Sequence, residues 1–97
     1  MCRRRRTFTP IDAIELDIEP GASVTTASIS SNSIFEVRVG DNAISSLGRD
    51  HAELVSQALR QEIAAISHST RVIVQWGWDQ DNNTATTSTP SVQVQRS

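Results

Sequence analysis

Residues 49–78 constrain the fold more than any other stretch. At 100° per residue, Ala52, Val55, Leu59, Ile63 and Ile66 fall in one stripe about 80° wide. Gln57 and Gln61 lie opposite, with Glu53 more loosely so. This pattern predicts an amphipathic helix. Asp50 is placed as its N-cap with Glu53 as capping-box partner, Gly48 marks the upstream limit, and His68-Ser69-Thr70 breaks the pattern downstream. Leu54, Ala58 and Ala65 form a second, weaker shoulder. Ordinary helix propensity explains that shoulder; so does a second contact, with a partner subunit or with the chain's own tail.

The period then changes. From Arg71 to Trp78, Val72, Val74, Trp76 and Trp78 alternate with Ile73, Gln75 and Gly77, and β-branched residues dominate. This predicts a strand whose indole-bearing face seats the helix stripe. Only four aromatic residues are present, so Trp76 and Trp78 are expected to dominate either the core or an interface. Trp78, at the strand end, is the better placed of the two for a binding edge.

Upstream, Ile14, Leu16 and Ile18 alternate with Glu15 and Asp17, which predicts a half-exposed strand over 11–18. Glu19-Pro20-Gly21-Ala22 has proline and glycine where a type II turn needs them. Val24–Ile29 is expected to return as a Ser/Thr-rich edge strand. Ser33–Val39 gives a third strand with Phe35, Val37 and Val39 inward, closed by Gly40-Asp41-Asn42. Residues 41–48 read as a loop pinned by Ile44 and Leu47. The expected fold is α+β: a β-β-β-α-β two-layer sandwich with one helix on a mainly antiparallel sheet. A fourth strand parallel to the third would need a right-handed connection.

The chain divides into a basic arm (1–9), the α+β domain (10–79) and a polar tail (80–97). Within the tail, Ser91–Gln95 alternates and suits a short edge strand, against the default of a flexible segment. Charge follows the same division. All nine basic residues are arginine and four are Arg3, Arg4, Arg5 and Arg6; the rest of the chain sets five arginines against eleven acids. An acidic body argues against sequence-independent nucleic-acid binding by the domain itself. The arm alone is a candidate clamp on phosphates, an anionic membrane or an acidic partner.

Catalytic and metal chemistry find little support. The single cysteine, Cys2, excludes an internal disulfide and a multi-cysteine metal site and suits a reducing compartment. No apolar h-region follows the basic N-terminus, and no run approaches the 18 or so apolar residues of a spanning helix, so the expected setting is cytoplasmic. His51 and His68 sit near opposite helix ends, too far apart to share a metal. His51 is expected as a solvated first-turn residue and His68 as a favourable charge near the C-terminus. Ser45 and Ser46 lack a nucleophile elbow. Asp12, Glu15 and Asp17 read as a solvated strand face.

The expectation is therefore a small non-enzymatic protein-binding module, a homodimer or a subunit of a larger assembly, without cofactor or metal. Its candidate contacts are Trp76, Trp78, Leu54 and Ala58. The alternative is a nucleic-acid-associated protein that uses Arg3–Arg6.

Overall fold

A computed structural model of the chain describes residues 6–30, 33–81 and 88–97. The order is β1 (Arg6–Ile18), β2 (Val24–Ser30), β3 (Ile34–Val39), β4 (Asn42–Leu47), α1 (Arg49–Ala65), β5 (Thr70–Asp81) and β6 (Ser88–Arg96). The fold is a small α+β arrangement of six strands in two antiparallel sheets, β1-β5-β6 and β2-β3-β4, with one helix.

The helix forms where periodicity places it, and its stripe points inward. Ala52, Val55, Leu59 and Ile63 are buried, and Ile66 packs half-buried against the same cluster. They meet Leu16 and Ile18 of β1, Val72, Val74 and Trp76 of β5, and Val24, Val37, Val39, Ile44 and Leu47 of the second sheet in one core. The helix packs between β5 and β6 on one side and β2 and β3 on the other. It thereby holds two sheets that share few direct links, Asn42 Nδ2–H donating to the Asp17 carbonyl at 3.1 Å being one.

Four expectations about connectivity are corrected. The first three strands do not form a meander: β1 pairs with β5, in the other sheet from β2. The Glu19–Ala22 turn forms as expected, with the Ala22 N–H donating to the Glu19 carbonyl at 3.1 Å and Gly21 at φ +79°. It carries the chain from one sheet to the other, since the apolar face of β1 pairs better with the β-branched run of β5 than with serine- and threonine-rich β2. The strand after the helix does not join the sheet of β3; it is the central strand of the other sheet, antiparallel to both β1 and β6. Ser88–Arg96, polar by composition, forms β6, with Val92 opposite Trp76 and Val94 opposite Val74.

The fourth correction is β4, which occupies the segment expected as a loop. Ile44 and Leu47 are both buried yet three residues apart, a spacing that a straight strand cannot turn to one face. Three steps from Ile44 to Leu47 oppose two from Val37 to Phe35, so β4 carries an extra residue. Ser46, at φ +66°, absorbs it. The helix start also differs. Gly48, extended at φ −70° and ψ 166°, occupies the N-cap without a side-chain bond, and its carbonyl accepts the Ala52 N–H at 2.8 Å. Asp50 is not the cap but a first-turn acid, where the helix dipole favours it.

Candidate functional site

The first turn of α1 ties together the ends of both sheets. On one side, His51 is buried, against the expectation of a solvated residue. Its Nε2 lies 2.7 Å from the Gly77 carbonyl, an acceptor only, so Nε2 carries the proton. The imidazole meets the Trp78 ring edge to face, with centroids 5.0 Å apart. β5 runs past the helix start, and the first turn therefore lies beneath the strand. Gly77 makes the approach possible. A Cβ there would stand 2.0 Å from the Thr9 carbonyl oxygen and 2.7 Å from Pro10 Cα. On the other side, the Arg49 guanidinium lies 5.6 Å from the centroid of the Phe35 ring, and Phe35 pairs with Ser28 and Leu47.

Two β-bulges act at this same end. In β1 the register jumps between Pro10 and Asp12, which oppose Gly77 and Trp76, and Ile11 is the extra residue. In β2 it jumps between Ser28 and Ser30, which oppose Phe35 and Ile34, and Ile29 is extra. A bulged residue leaves the alternation and turns away from its neighbours' face. Ile11 is 60% exposed and Ile29 53%. With Ile34 and Trp78 they are the large hydrophobic residues left exposed among those described. Ile29 and Ile34 flank the Ser28–Phe35 pair, and Ile11 and Trp78 flank the Pro10–Gly77 pair. All four thus lie close in register to residues that touch Arg49 or His51.

The candidate residues drawn from sequence separate. Trp76 is buried in the core opposite Val92, so it supports the surface rather than presenting it. Trp78 is 39% exposed. Leu54 and Ala58 are half-buried along a groove that β6 closes with Pro90, Ser91 and Val92. The chain's own C-terminal strand therefore occupies the second helix shoulder. Arg3, Arg4, Arg5 and the Arg6 side chain lie outside the described residues; the Arg6 backbone opens β1 opposite Asp81. The two bulged isoleucines and His51 were missed. A broken alternation at Pro10-Ile11-Asp12 was the available signal for the first of them.

Elsewhere, among the described residues, no buried side-chain nitrogen or oxygen lacks a hydrogen-bond partner. Asp17 pairs with Arg71 at 3.0 Å, and Glu15 with Arg71 at 3.4 Å, across the exposed face of β1 and β5. The Arg71 hydrogen bond holds the Asp17 carboxyl below its ordinary value, and the same bond raises Arg71. His68 is exposed beyond the helix end, 3.4 Å from Ser67 Oγ. Among the described residues no group of three or more His, Cys, Asp or Glu is placed to hold a metal ion. No described helix is long and apolar enough to cross a membrane. Compared with protein-family models, curated proteins and solved structures, the chain shows no match.

Proposed function

We propose that this protein is a non-enzymatic protein-binding module that associates, with itself or within a larger assembly, through the end of the fold built around the first turn of α1. The observation that carries the reading is the convergence of Ile11, Ile29, Ile34 and Trp78 on that end. Two of the four are turned out by bulges, which a strand does not need for its own packing. Scattered exposed hydrophobics are ordinary; a grouping at one pole, beside a half-exposed tryptophan, is the pattern of a contact surface.

The test uses the two indoles. Sedimentation equilibrium over a concentration series is run on the wild type, Trp78→Ala and Ile11→Ser, with acrylamide quenching of Trp78 fluorescence in parallel. Association that shields Trp78 and weakens in both variants supports the reading. A wild type that stays monomeric, with Trp78 equally quenched at every concentration and no partner whose binding depends on Trp78, removes it.

A second reading, nucleic-acid association through Arg3–Arg6, is favoured by the position of Arg6 at the start of β1, within the same ribbon as Trp78. Four phosphate contacts give a log–log salt slope of roughly −3 to −4. Unchanged retention of DNA and RNA after deletion of the four arginines ends this reading.

A further inference from the structure

The groove between α1 and the β2–β3 hairpin has the character of a binding site for one class of partner. It encloses about 380 Å³ and is lined by Arg49, Glu53, Ser56 and Arg60 from the helix and by Thr26 and Phe35 from the strands. Those four helix residues follow the i, i+4, i+7, i+11 rhythm of a single face, with Ala52 and Gln57 beside them on the groove wall. Three other arginines are neutralised within the fold: Arg38 by Glu36 at 2.8 Å, Arg71 by Asp17 and Glu15, and Arg96 by Glu62 at 3.1 Å. Among the arginines with described side chains, only Arg49 and Arg60 have no carboxylate partner, and both line this groove.

Both guanidinium groups are held without being neutralised. Arg49 stacks on Phe35, and Arg60 donates from its Nη2 to the Val24 carbonyl at 3.1 Å. Arg49 is also the first helical residue, where the dipole disfavours a cation. Helix stability gives no reason for arginine at that position. On the groove wall, Ser56 donates to the Ala52 carbonyl at 2.8 Å, so Thr26 donates to Ser56 Oγ at 2.6 Å. Thr26 Oγ1 keeps lone pairs to accept an N–H.

We propose that this groove binds an acidic, extended polypeptide segment of a partner protein, with two carboxylates on Arg49 and Arg60 and an apolar side chain between them against Phe35 and Ala52. Eleven residues of helix separate the arginines by about 16 Å. On an extended chain only residues an even number apart share a face, and four residues span about 13 Å. The carboxylates therefore stand four positions apart with the apolar side chain midway on the same face, and the long arginine side chains take up the remaining few ångströms. Charge complementarity selects the occupant. Outside Arg3–Arg6 the chain carries eleven acids and five arginines, and the rest of that surface repels an acidic segment. The repulsion fixes the segment to the one place where, among the described residues, cations are free of carboxylates. Glu53, inside the groove, disfavours a carboxylate at the midpoint, which leaves the middle of the segment to the apolar side chain.

The inference rests on the reading of the protein as a binding module, and its test separates the two. The full chain, labelled with ¹⁵N, is titrated with the capped peptide Asp-Ser-Leu-Ser-Asp and with its counterpart carrying Asn for both Asp. Amide shifts confined to Thr26, Phe35, Ser56 and their neighbours, with shifts of the Arg49 and Arg60 Nε–H signals, support the proposal. So do an affinity at least about tenfold weaker for R49Q/R60Q or for the Asn peptide, and a loss of binding as salt rises. In Arg49→Glu, binding falls while thermal stability holds or rises, because an acid suits the helix start. Absence of groove shifts at about 5 mM peptide, equal binding of the Asn peptide, or undiminished binding by R49Q/R60Q overturns it. A single-stranded oligonucleotide that displaces the peptide and binds the groove more tightly assigns the arginines to phosphates and also overturns it. Trp78-dependent association that persists when the peptide result is negative leaves the binding-module reading in place and removes only this one.

Discussion

Gly77 gives the sharpest test of how the two sheets and the helix start are assembled. In Gly77→Ala the new methyl would meet the Thr9 carbonyl oxygen at 2.0 Å, against an ordinary contact of 3.4 Å or more. The obstacle is backbone, so no side-chain rotation relieves it, and β1 must retreat by more than an ångström. Overpacking of this kind costs about 1–3 kcal/mol. The retreat also weakens one or two ladder hydrogen bonds near the bulge, at about 1 kcal/mol each. The expected loss is about 2–5 kcal/mol, a large share of the roughly 5–15 kcal/mol of a small domain. At roughly 5 °C per kcal/mol for a chain of this size, it lowers Tm by roughly 10–25 °C. Urea unfolding reads the change through Trp76 and Trp78, which flank the site, with the m-value checking that the transition stays two-state. Gly48→Ala is the control: nothing lies within 4 Å of a Cβ there and φ is −70°, so only a few tenths of a kcal/mol to about 1 is lost at the cap. A Gly77→Ala protein within about 1 kcal/mol of wild type, or a Gly48→Ala protein equally damaged, refutes the close β1–β5 approach.

Other perturbations probe separate parts of the fold. His51→Phe keeps a ring against Trp78 but removes the donor to the Gly77 carbonyl, for an expected loss of about 1–2 kcal/mol in thermal melts; no change shows that the bond contributes nothing. Ser46→Gly relieves a left-handed serine and raises stability by about 0.5–1 kcal/mol, whereas a loss shows that the bulge does not need that conformation. Leu59→Ala empties a fully buried site and costs about 2–5 kcal/mol, while Leu54→Ala on the half-buried shoulder costs less; reversed magnitudes mean the helix is rotated from the orientation described. Asp17, lowered by its bond to Arg71, contributes stability that is present above the ordinary carboxylate value of 3.8 and lost as pH falls through the lowered folded value. Melts in acid solution then show a shallower decline for Asp17→Asn, and an identical acid limb removes the linkage.

Local periodicity made the helix, its buried stripe and the first three strand centres legible, because each repeats its own signal over several residues. Pairing was not legible. Whether Leu16 lies beside Val72 or beside a residue of β2 depends on competition between surfaces distant in sequence, which no local pattern encodes. β4 was hidden by its bulge, since Ile44 and Leu47 look mis-spaced until Ser46 is counted as extra. β6 was hidden by composition: Thr, Ser and Gln dominate it, and Val92 and Val94 become strand residues only because Trp76 and Val74 offer them a neighbour. The candidate surface was half legible. Trp78 stood out as an aromatic residue at a strand end, but His51 beneath it depends on how far β5 continues past the helix. Leu54 and Ala58, read as a second helix shoulder, line a groove whose other wall is β6 of the same chain.

The extra residue at Ile11 also acts as a parity switch in the first strand. Downstream of it the even-numbered residues Ile14, Leu16 and Ile18 share a side with Val74 and Val72; upstream the odd-numbered Thr9 and Thr7 stand opposite Trp78 and Gln80. Deleting that one residue would leave Thr9 opposite Trp78 and Thr7 opposite Gln80 in an unbroken ladder, whereas straightening the bulge with Ile11 kept would bring Pro10 and Phe8 across to the tryptophan's side and send the two threonines over. The side on which each residue of that strand end stands is thus set by one unpaired isoleucine, while the hydrophobic interior downstream of it keeps its own register.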